Sequence, residues 1–390
     1  MGERCARLSG LALAFSAIAL SAQPANAESP VKFQGSYTAD ASYVAQGQRT
    51  GARYLDDIKA SADVDLHAAI GWSGATAHAE ALGNFWGTPN ALAGTIQGVD
   101  NIEVSRHSLR LFEAWVDQSL AGGKVSVRAG LYDLNSEFYA DDSASLLMAP
   151  AFGIGSELAA TGPNGPSIFP STGLAVRLRL QPNDHFYAEA AVINAKAGVL
   201  GDPGGVDFSF GDGALLIGEV GLTGKGKIAV GAWRYTKRQD DIRDVDSTGA
   251  PAAQIAQGFY VLAERPLVGQ DGGVRHVTAF ARIGVSDADT TPFQGGYQVG
   301  LLINRVFASR PDSALSIGFD QAFLSRKYRA NARDAGQDLR PAESQVEITY
   351  SDRVAHHLTL QPDLQWIHRP SGDPTAPDAI VMALRANFEF

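Results

Sequence analysis

Hydrophobic and polar residues take turns along most of this chain. Across residues 378–390, Ile380, Met382, Leu384, Ala386, Phe388 and Phe390 fall on one side of a two-residue period, and Val381, Arg385, Asn387 and Glu389 on the other. Successive side chains of a β-strand point to opposite faces, so this segment reads as a strand with one greasy and one polar face. Residues 173–181 repeat the pattern, with Leu174, Val176, Leu178 and Leu180 against Ala175, Arg177, Arg179 and Gln181. Residues 358–366 set Leu358, Leu360, Leu364 and Trp366 against Thr359, Gln361, Asp363 and Gln365. Residues 62–72 set Val64, Leu66, Ala68, Ile70 and Trp72 against Asp63, Asp65, His67 and Ala69. Other candidate strands are softer, with Ala or Gly on the outer face.

Sixteen candidate strands follow, centred near residues 37, 66, 80, 113, 128, 176, 189, 218, 231, 260, 280, 301, 318, 347, 361 and 384. Each spans about ten residues, the length a tilted strand needs to cross a bilayer. The connections between them alternate. Short turns rich in Gly, Pro, Asn and Asp stand at Ser73-Gly74, at 120–123, at Pro182-Asn183-Asp184 and at 223–226. Those after the first, third, fifth, seventh, ninth, thirteenth and fifteenth strands are longer and more polar. The turn near 265–273 is longer than this pattern wants, and the loop near 286–293 shorter. Such alternation is what a barrel gives when its two rims face different compartments, and an even strand count puts both ends on the inner rim. The reading is therefore all-β: a transmembrane antiparallel β-barrel of about sixteen strands. The longest connection, 133–171, follows the fifth strand. A structureless segment of that length is generally functional, and in a barrel this wide it is expected to fold inward and narrow an open aqueous lumen.

Residues 1–27 read as a secretory signal peptide. Arg4 and Arg7 give a positive start, residues 11–20 an apolar stretch, and Ala25-Asn26-Ala27 a small-x-small cleavage pattern. Residues 28–390 are then the barrel. The one cysteine, Cys5, lies in the leader, which leaves no disulfide framework, thiol nucleophile or thiolate metal site. Loss of the leader lowers Lys+Arg from 32 to 30 and Asp+Glu from 42 to 41, for a net charge of −11. That argues against a nucleic-acid partner and suits neutral or cationic solutes. No stretch after Ala27 approaches 18 apolar residues, so no transmembrane helix is expected.

The terminal aromatic, Phe390, resembles the end of outer-membrane barrel strands. Further stretches resemble the carbohydrate-selective porin family, called OprB-like: 129–138 (AGLYDLNSEF), 161–170 (TGPNGPSIFP) followed by Gly173-Leu174-Ala175, and 358–367 (LTLQPDLQWI), where Trp366 matches the usual aromatic. The likeness runs from about Tyr37 to Phe390. It implies a sixteen-stranded outer-membrane barrel with an inward-folded loop and a preference for monosaccharides or related polyols. The family's sugar-contacting residues are not carried over one by one.

A selective sugar pore must replace water around hydroxyls with donors and acceptors while binding weakly enough to release, and a millimolar site is worth only about −4 kcal/mol. Glu80, Arg110, Glu113, Arg128, Arg177 and Arg179 are assigned to the lumen wall, and Asp133, Asn135, Glu137, Asp141, Asp142 and Asn164 to the long loop. The expected eyelet sets Arg128, Arg177 and Arg179 against Glu137 and the Asp141-Asp142 pair. The bland alternative is that these charges only solvate the lumen and pin the loop. Trp115, Tyr132, Phe138 and Tyr139 could offer ring faces to a sugar but more often form an interfacial girdle, as Trp72, Trp86, Trp233 and Trp366 should. Neither His356-His357 nor Asp141-Asp142 can chelate from a regular strand, where neighbours point apart. No cofactor or metal is expected, although calcium on the loop's carboxylates is left open. Partners are small sugars and outer-membrane lipid, with a homotrimer open. The rival readings are a general non-selective porin, an outer-membrane barrel hydrolase and a soluble secreted β-protein. An enzyme is not favoured, because no Ser or Asp stands beside His with a third orienting group.

Overall fold

The computed structural model describes residues 29–269 and 275–390, so the expected signal peptide lies outside the described residues. The strands are β1 (Val31–Gln46), β2 (Gly51–Asp65), β3 (Ala75–Trp86), β4 (Ser108–Leu120), β5 (Val125–Tyr132), β6 (Gly173–Asn183), β7 (Phe186–Asn194), β8 (Ala214–Thr223) and β9 (Lys227–Tyr235). Then come β10 (Gln239–Val245), β11 (Pro251–Gln254), β12 (Gln257–Val268), β13 (His276–Ser286), β14 (Phe293–Asn304), β15 (Ala314–Leu324), β16 (Ala342–Ala355), β17 (Leu358–His368) and β18 (Ala379–Glu389). Sixteen of them close into one antiparallel barrel, while β10 and β11 form a separate hairpin between β9 and β12. The seam is β1 against β18, in register at Ala39 and Ala386. Closure leaves no strand edge unpaired, the condition for crossing a bilayer with strands.

Alternation along the strands sorts the side chains as the period demands. Leu178, Val176, Leu364, Leu384 and Phe388 lie exposed on the outer wall, whereas Arg177, Gln361, Asp363 and Gln365 lie inside and buried. Among the described residues no helix is long and apolar enough to span a membrane.

The second strand is a correction. The pattern at 62–72 is not a strand: β2 ends at Asp65, and Leu66–Ile70 wind into a short helix. The Asp65 carboxylate accepts the His67 and Ala68 N–H groups at 2.9 and 3.1 Å, and Gly71 ends the turn at φ +79. The true strand hid because Asp56 interrupts its greasy face, on the period of Tyr54 and Ile58. That carboxylate is tolerated there because the Tyr37 and Tyr54 hydroxyls donate to it at 2.9 and 3.3 Å. The connection after β1 is accordingly only residues 47–50, not a long loop.

A second departure concerns the inner wall of β7, β8, β9 and β12, which carries a large apolar and aromatic cluster around a few buried glutamates. Tyr187, Ile193, Ile217, Trp233, Tyr235 and Tyr260 form one buried cluster with Tyr132, Leu134, Phe138, Tyr139 and Leu158 at and beyond the end of β5. Trp233 is therefore interior, not girdle, while Trp72, Trp86 and Trp366 are exposed. On the outer face of the same strands Ala190, Gly218 and Ala232 stand in register, flanked by exposed Val192, Leu216, Val230 and Phe259. Gly231 is a required glycine: a Cβ there would sit 2.1 Å from the ring of Tyr260, its cross-strand partner.

Candidate functional site

Two connections enter the barrel, residues 87–107 between β3 and β4 and residues 133–172 between β5 and β6. The wall holds them by their backbones. A loop without a ladder needs partners for its amides and carbonyls, and inward strand side chains provide them. Glu264 of β12 accepts the Asp142 and Ser143 N–H groups, each at 2.9 Å, and the Ser143 hydroxyl at 2.5 Å. Glu347 of β16 accepts the Met148 and Ala149 N–H groups, and Glu343 those of Ile96 and Gln97 at 3.0 and 3.2 Å. Glu219 of β8 accepts the Tyr139 N–H at 3.1 Å together with the hydroxyls of Tyr187 and Tyr260 at 2.5 and 2.6 Å. Arg282 of β13 works in the opposite sense, donating to the carbonyls of Tyr139, Gly153 and Ala151 at 2.9, 2.9 and 2.8 Å. Gln361 and Gln365 of β17 donate to the carbonyls of Leu146 and Val99.

The expected lumen charges divide into separate groups. Arg177 reaches Glu137 at 2.7 and 2.9 Å and Asp117 at 2.9 Å, and is only 2% exposed. Arg128 joins this group through Asp117 at 3.1 Å and Glu137 at 3.8 Å, its guanidinium lying 3.8 Å over the Trp115 ring. Glu137 also takes the Tyr132 hydroxyl at 2.5 Å. Arg179 does not meet the loop acids; it pairs with Glu189 on β7 at 2.6 Å. Asp141 and Asp142 do not face Arg128, Arg177 or Arg179 either. Asp142 starts the turn held by Glu264. Asp141 is buried near Arg282 and Lys227, and burial pushes its carboxyl up to about 7. Arg110 pairs with Asp202 at 2.8 Å, and although burial works the other way, Arg110 and Ser171 hold the Asp202 carboxyl below its ordinary range. Glu113 accepts the Asp133 N–H at 2.8 Å, and Glu80 lies 3.9 Å from Lys59. Asn135 donates to the Gly153 carbonyl at 3.1 Å, and Asn164 to the Ala197 carbonyl at 2.6 Å. Tyr132, Phe138 and Tyr139 are wholly buried, which removes them both as sugar-facing rings and as girdle.

With the loop packed against β7, β8, β9 and β12, three adjoining cavities remain open. One of about 530 Å³ at the long-loop rim, between the start of β4 and residues 159–171 and 196–207, includes Arg106, Arg110, Asn164, Ile168, Phe169, Lys196 and Asp202. The next, about 390 Å³, shares Ile168 and Phe169 with it and is walled by Ser36, Thr38, Asp57, Lys59, Asn101, Asp133, Asn135, Ile154 and Arg385. The third, about 540 Å³ at the short-turn rim, shares Ser36 and Lys59 with the second and adds Ser61, Glu80, Arg353, His356 and Glu389. Of the residues lining these cavities, Glu80, Arg110, Asp133, Asn135 and Asn164 were singled out by the sequence. Lys59, Asp57, Ser36 and Arg385 were missed, the first two because the second strand was misplaced. Burial and the neighbouring Glu113 push the Asp133 carboxyl up to about 7. Arg385 donates to Asp40 across the seam at 2.7 Å and to the side-chain oxygen of Asn101 at 2.8 Å. Among the described residues no group of three or more His, Cys, Asp or Glu is arranged to hold a metal. His356 and His357 stand in a tight turn rather than a strand, so their ring nitrogens approach to 2.8 Å.

Compared with known proteins, residues 49–390 match the carbohydrate-selective porin family, OprB. Porin B of Pseudomonas aeruginosa is 22% identical over 384 aligned residues, spanning 88% of this chain and 83% of that protein. The high-pH structure of Pseudomonas putida OprB superimposes with a TM-score of 0.82 at 22% identity, over 93% of this chain and 94% of that one. An anion-selective porin from Comamonas acidovorans gives 0.55 at 13% identity, over 92% and 99%.

Proposed function

The chain belongs to the carbohydrate-selective porin family, OprB, and from that premise we propose that sugars cross it through the three adjoining cavities, the outer one beside the start of β4 and the other two beside β1, β2 and β18. It is an outer-membrane β-barrel channel, and its family and fold point to a channel rather than an enzyme. The passage runs off-centre, from an outer vestibule through a middle chamber that serves as the eyelet into an inner vestibule at the periplasmic rim. The 133–172 loop narrows the lumen by filling its far side rather than by hanging across its middle.

The observation that carries this reading is the sharing of wall residues between successive cavities, Ile168 and Phe169 above and Ser36 and Lys59 below. The eyelet's chemistry suits a neutral polyol. Lys59 and Arg385 offer charged donors, Asp57 and Asp133 acceptors, and Thr38 and Asn101 groups that do both. Opposed charges at close quarters orient hydroxyls without trapping an ion of either sign. Arg177 and Arg128 belong to the loop's foundation. Outside the barrel, the apolar wall of Leu178, Leu364 and Leu384 is the lipid-facing surface.

Two measurements test this together. In liposome swelling, glucose should enter faster than an amino acid of similar size; equal rates would leave only a general pore. In planar bilayers, Ser36→Cys should become blockable by a thiol-directed reagent, since no other cysteine is expected beyond the leader. Full current after labelling of that cysteine would move the passage elsewhere.

A further inference from the structure

Ile168 and Phe169 are the wall residues common to the outer vestibule and the eyelet, so they form the neck between the two chambers. Below this neck the eyelet is divided by chemistry. Ile168, Phe169 and Ile154 make one side apolar, and Lys59, Asp133 and Arg385 stand among the polar groups of the rest. The Phe169 ring is packed on one side: it meets the buried Phe112 of β4 edge-on, with centroids 6.3 Å apart and planes at 64°. The Ile168 backbone is tied as well, its N–H donating to Pro166 and its carbonyl accepting from Ser171.

A packed aromatic lip opposite charged groups offers a passing solute two kinds of contact at once. A solute that benefits from both must itself have an apolar face and a hydroxylated rim. The pyranose ring does: its axial C–H bonds make a flat greasy face and its hydroxyls point outward round the edge. An open-chain polyol of the same size turns freely and presents no lasting face. Aromatic faces and edges bind flat apolar surfaces with a modest, geometry-dependent gain, small enough to leave the solute mobile.

We propose that Phe169 is a specificity-determining residue that selects cyclic sugars, taking the C–H face of a pyranose at the neck while the polar side of the eyelet reads the hydroxyl rim. This rests on the reading of the three cavities as the sugar passage. It adds the substrate class: rings in preference to open-chain polyols.

The test compares liposome swelling rates for glucose, mannitol and a zwitterionic amino acid of similar size, for the wild type and for Phe169→Leu and Phe169→Tyr. Heat-modifiable migration confirms that each variant is a folded barrel. Leucine keeps apolar bulk but removes the ring, and tyrosine restores it. The wild type should admit glucose roughly three- to tenfold faster than mannitol, the range that an aromatic contact of this kind supplies. Phe169→Leu should bring that ratio near one while still preferring glucose to the amino acid, and Phe169→Tyr should keep it. Glucose and mannitol entering equally in the wild type, both ahead of the amino acid, would overturn the proposal and leave the sugar passage standing. Glucose no faster than the amino acid would overturn the passage reading itself. Should Phe169→Leu fold and keep the ring preference, Phe169 is not its source. If the leucine variant does not fold, the wild-type ratio and Phe169→Tyr decide.

Discussion

Arg282 is where the loop's anchoring can be tested most sharply. It is almost wholly buried and holds three loop carbonyls, those of Tyr139, Ala151 and Gly153, while its Nε donates to Gln298 on β14 at 2.7 Å. Its guanidinium also lies 4.9 Å from the Tyr139 ring centre. Arg282→Met keeps a long apolar stem and removes all of these bonds. A hydrogen bond to a charged group contributes about 1.5–3 kcal/mol, so three carbonyls are worth roughly 5–9 kcal/mol before compensation. Water in the lumen re-bonds freed carbonyls, which reduces the net loss to about 2–5 kcal/mol. At about 1.4 kcal/mol per decade, the population with a released loop rises by roughly thirtyfold to a few thousandfold. The barrel ladder is untouched, so the variant should still insert and show heat-modifiable migration. Single-channel recordings should give a larger, noisier conductance, and protease should cut between Asn135 and Ala160 in the folded barrel. A wild-type conductance with an intact loop under protease would refute the idea that wall side chains hold the loop by its backbone.

Two further outcomes follow from the eyelet and the seam. The Asp133 carboxyl, pushed up to about 7 by burial and by Glu113, is mostly neutral at pH 6 and ionised at pH 8. Cation over anion permeability should therefore rise across that interval in the wild type and lose its dependence in Asp133→Asn. The sign for stability is opposite: between the unfolded carboxylate range near pH 4 and about pH 7 the folded state holds the extra proton, so this group's contribution falls as pH rises. Arg385 binds Asp40 across the β18–β1 seam, and Asp40 is fully buried. Arg385→Gln leaves that acid without its cation, at a cost of about 3–5 kcal/mol, and should lower the heat-modification midpoint. The double variant with Asp40→Asn should recover most of it, and an unchanged midpoint in the single variant would contradict the pairing.

How much of this was legible in the sequence follows from what each signal measures. A two-residue period reports which side of a strand meets lipid, and where the outer face is uniformly greasy, as at Leu174–Leu180 or Met382–Phe388, it fixes the strand and its facing without tertiary information. It failed at Asp56, where a polar residue on the outer face depends on two tyrosines that only the folded wall brings near. Arg128, Arg177 and Glu137 were read as neighbours because β5 and β6 flank the long loop, which puts Arg128 opposite Arg177 and starts the loop carrying Glu137 at the end of β5. The pairing of Arg179 with Glu189, and the seating of Asp142 on Glu264, depend on which wall the loop chooses.

The sequence by itself determined a closed barrel with one lipid-facing surface, its family likeness and the long connection after the fifth strand. Those features are local or periodic, and each can be read from spacing. Only the tertiary structure decided which wall the long loop covers, and with it where the passage is proposed. The long loop packs against the apolar cluster on the inner faces of β7, β8, β9 and β12, where Tyr187, Trp233 and Tyr260 would otherwise meet water, and that burial leaves open the opposite wall of Ser36, Lys59 and Arg385. No spacing in the chain encodes this, since the residues that face one another come from strands and loops up to hundreds of positions apart.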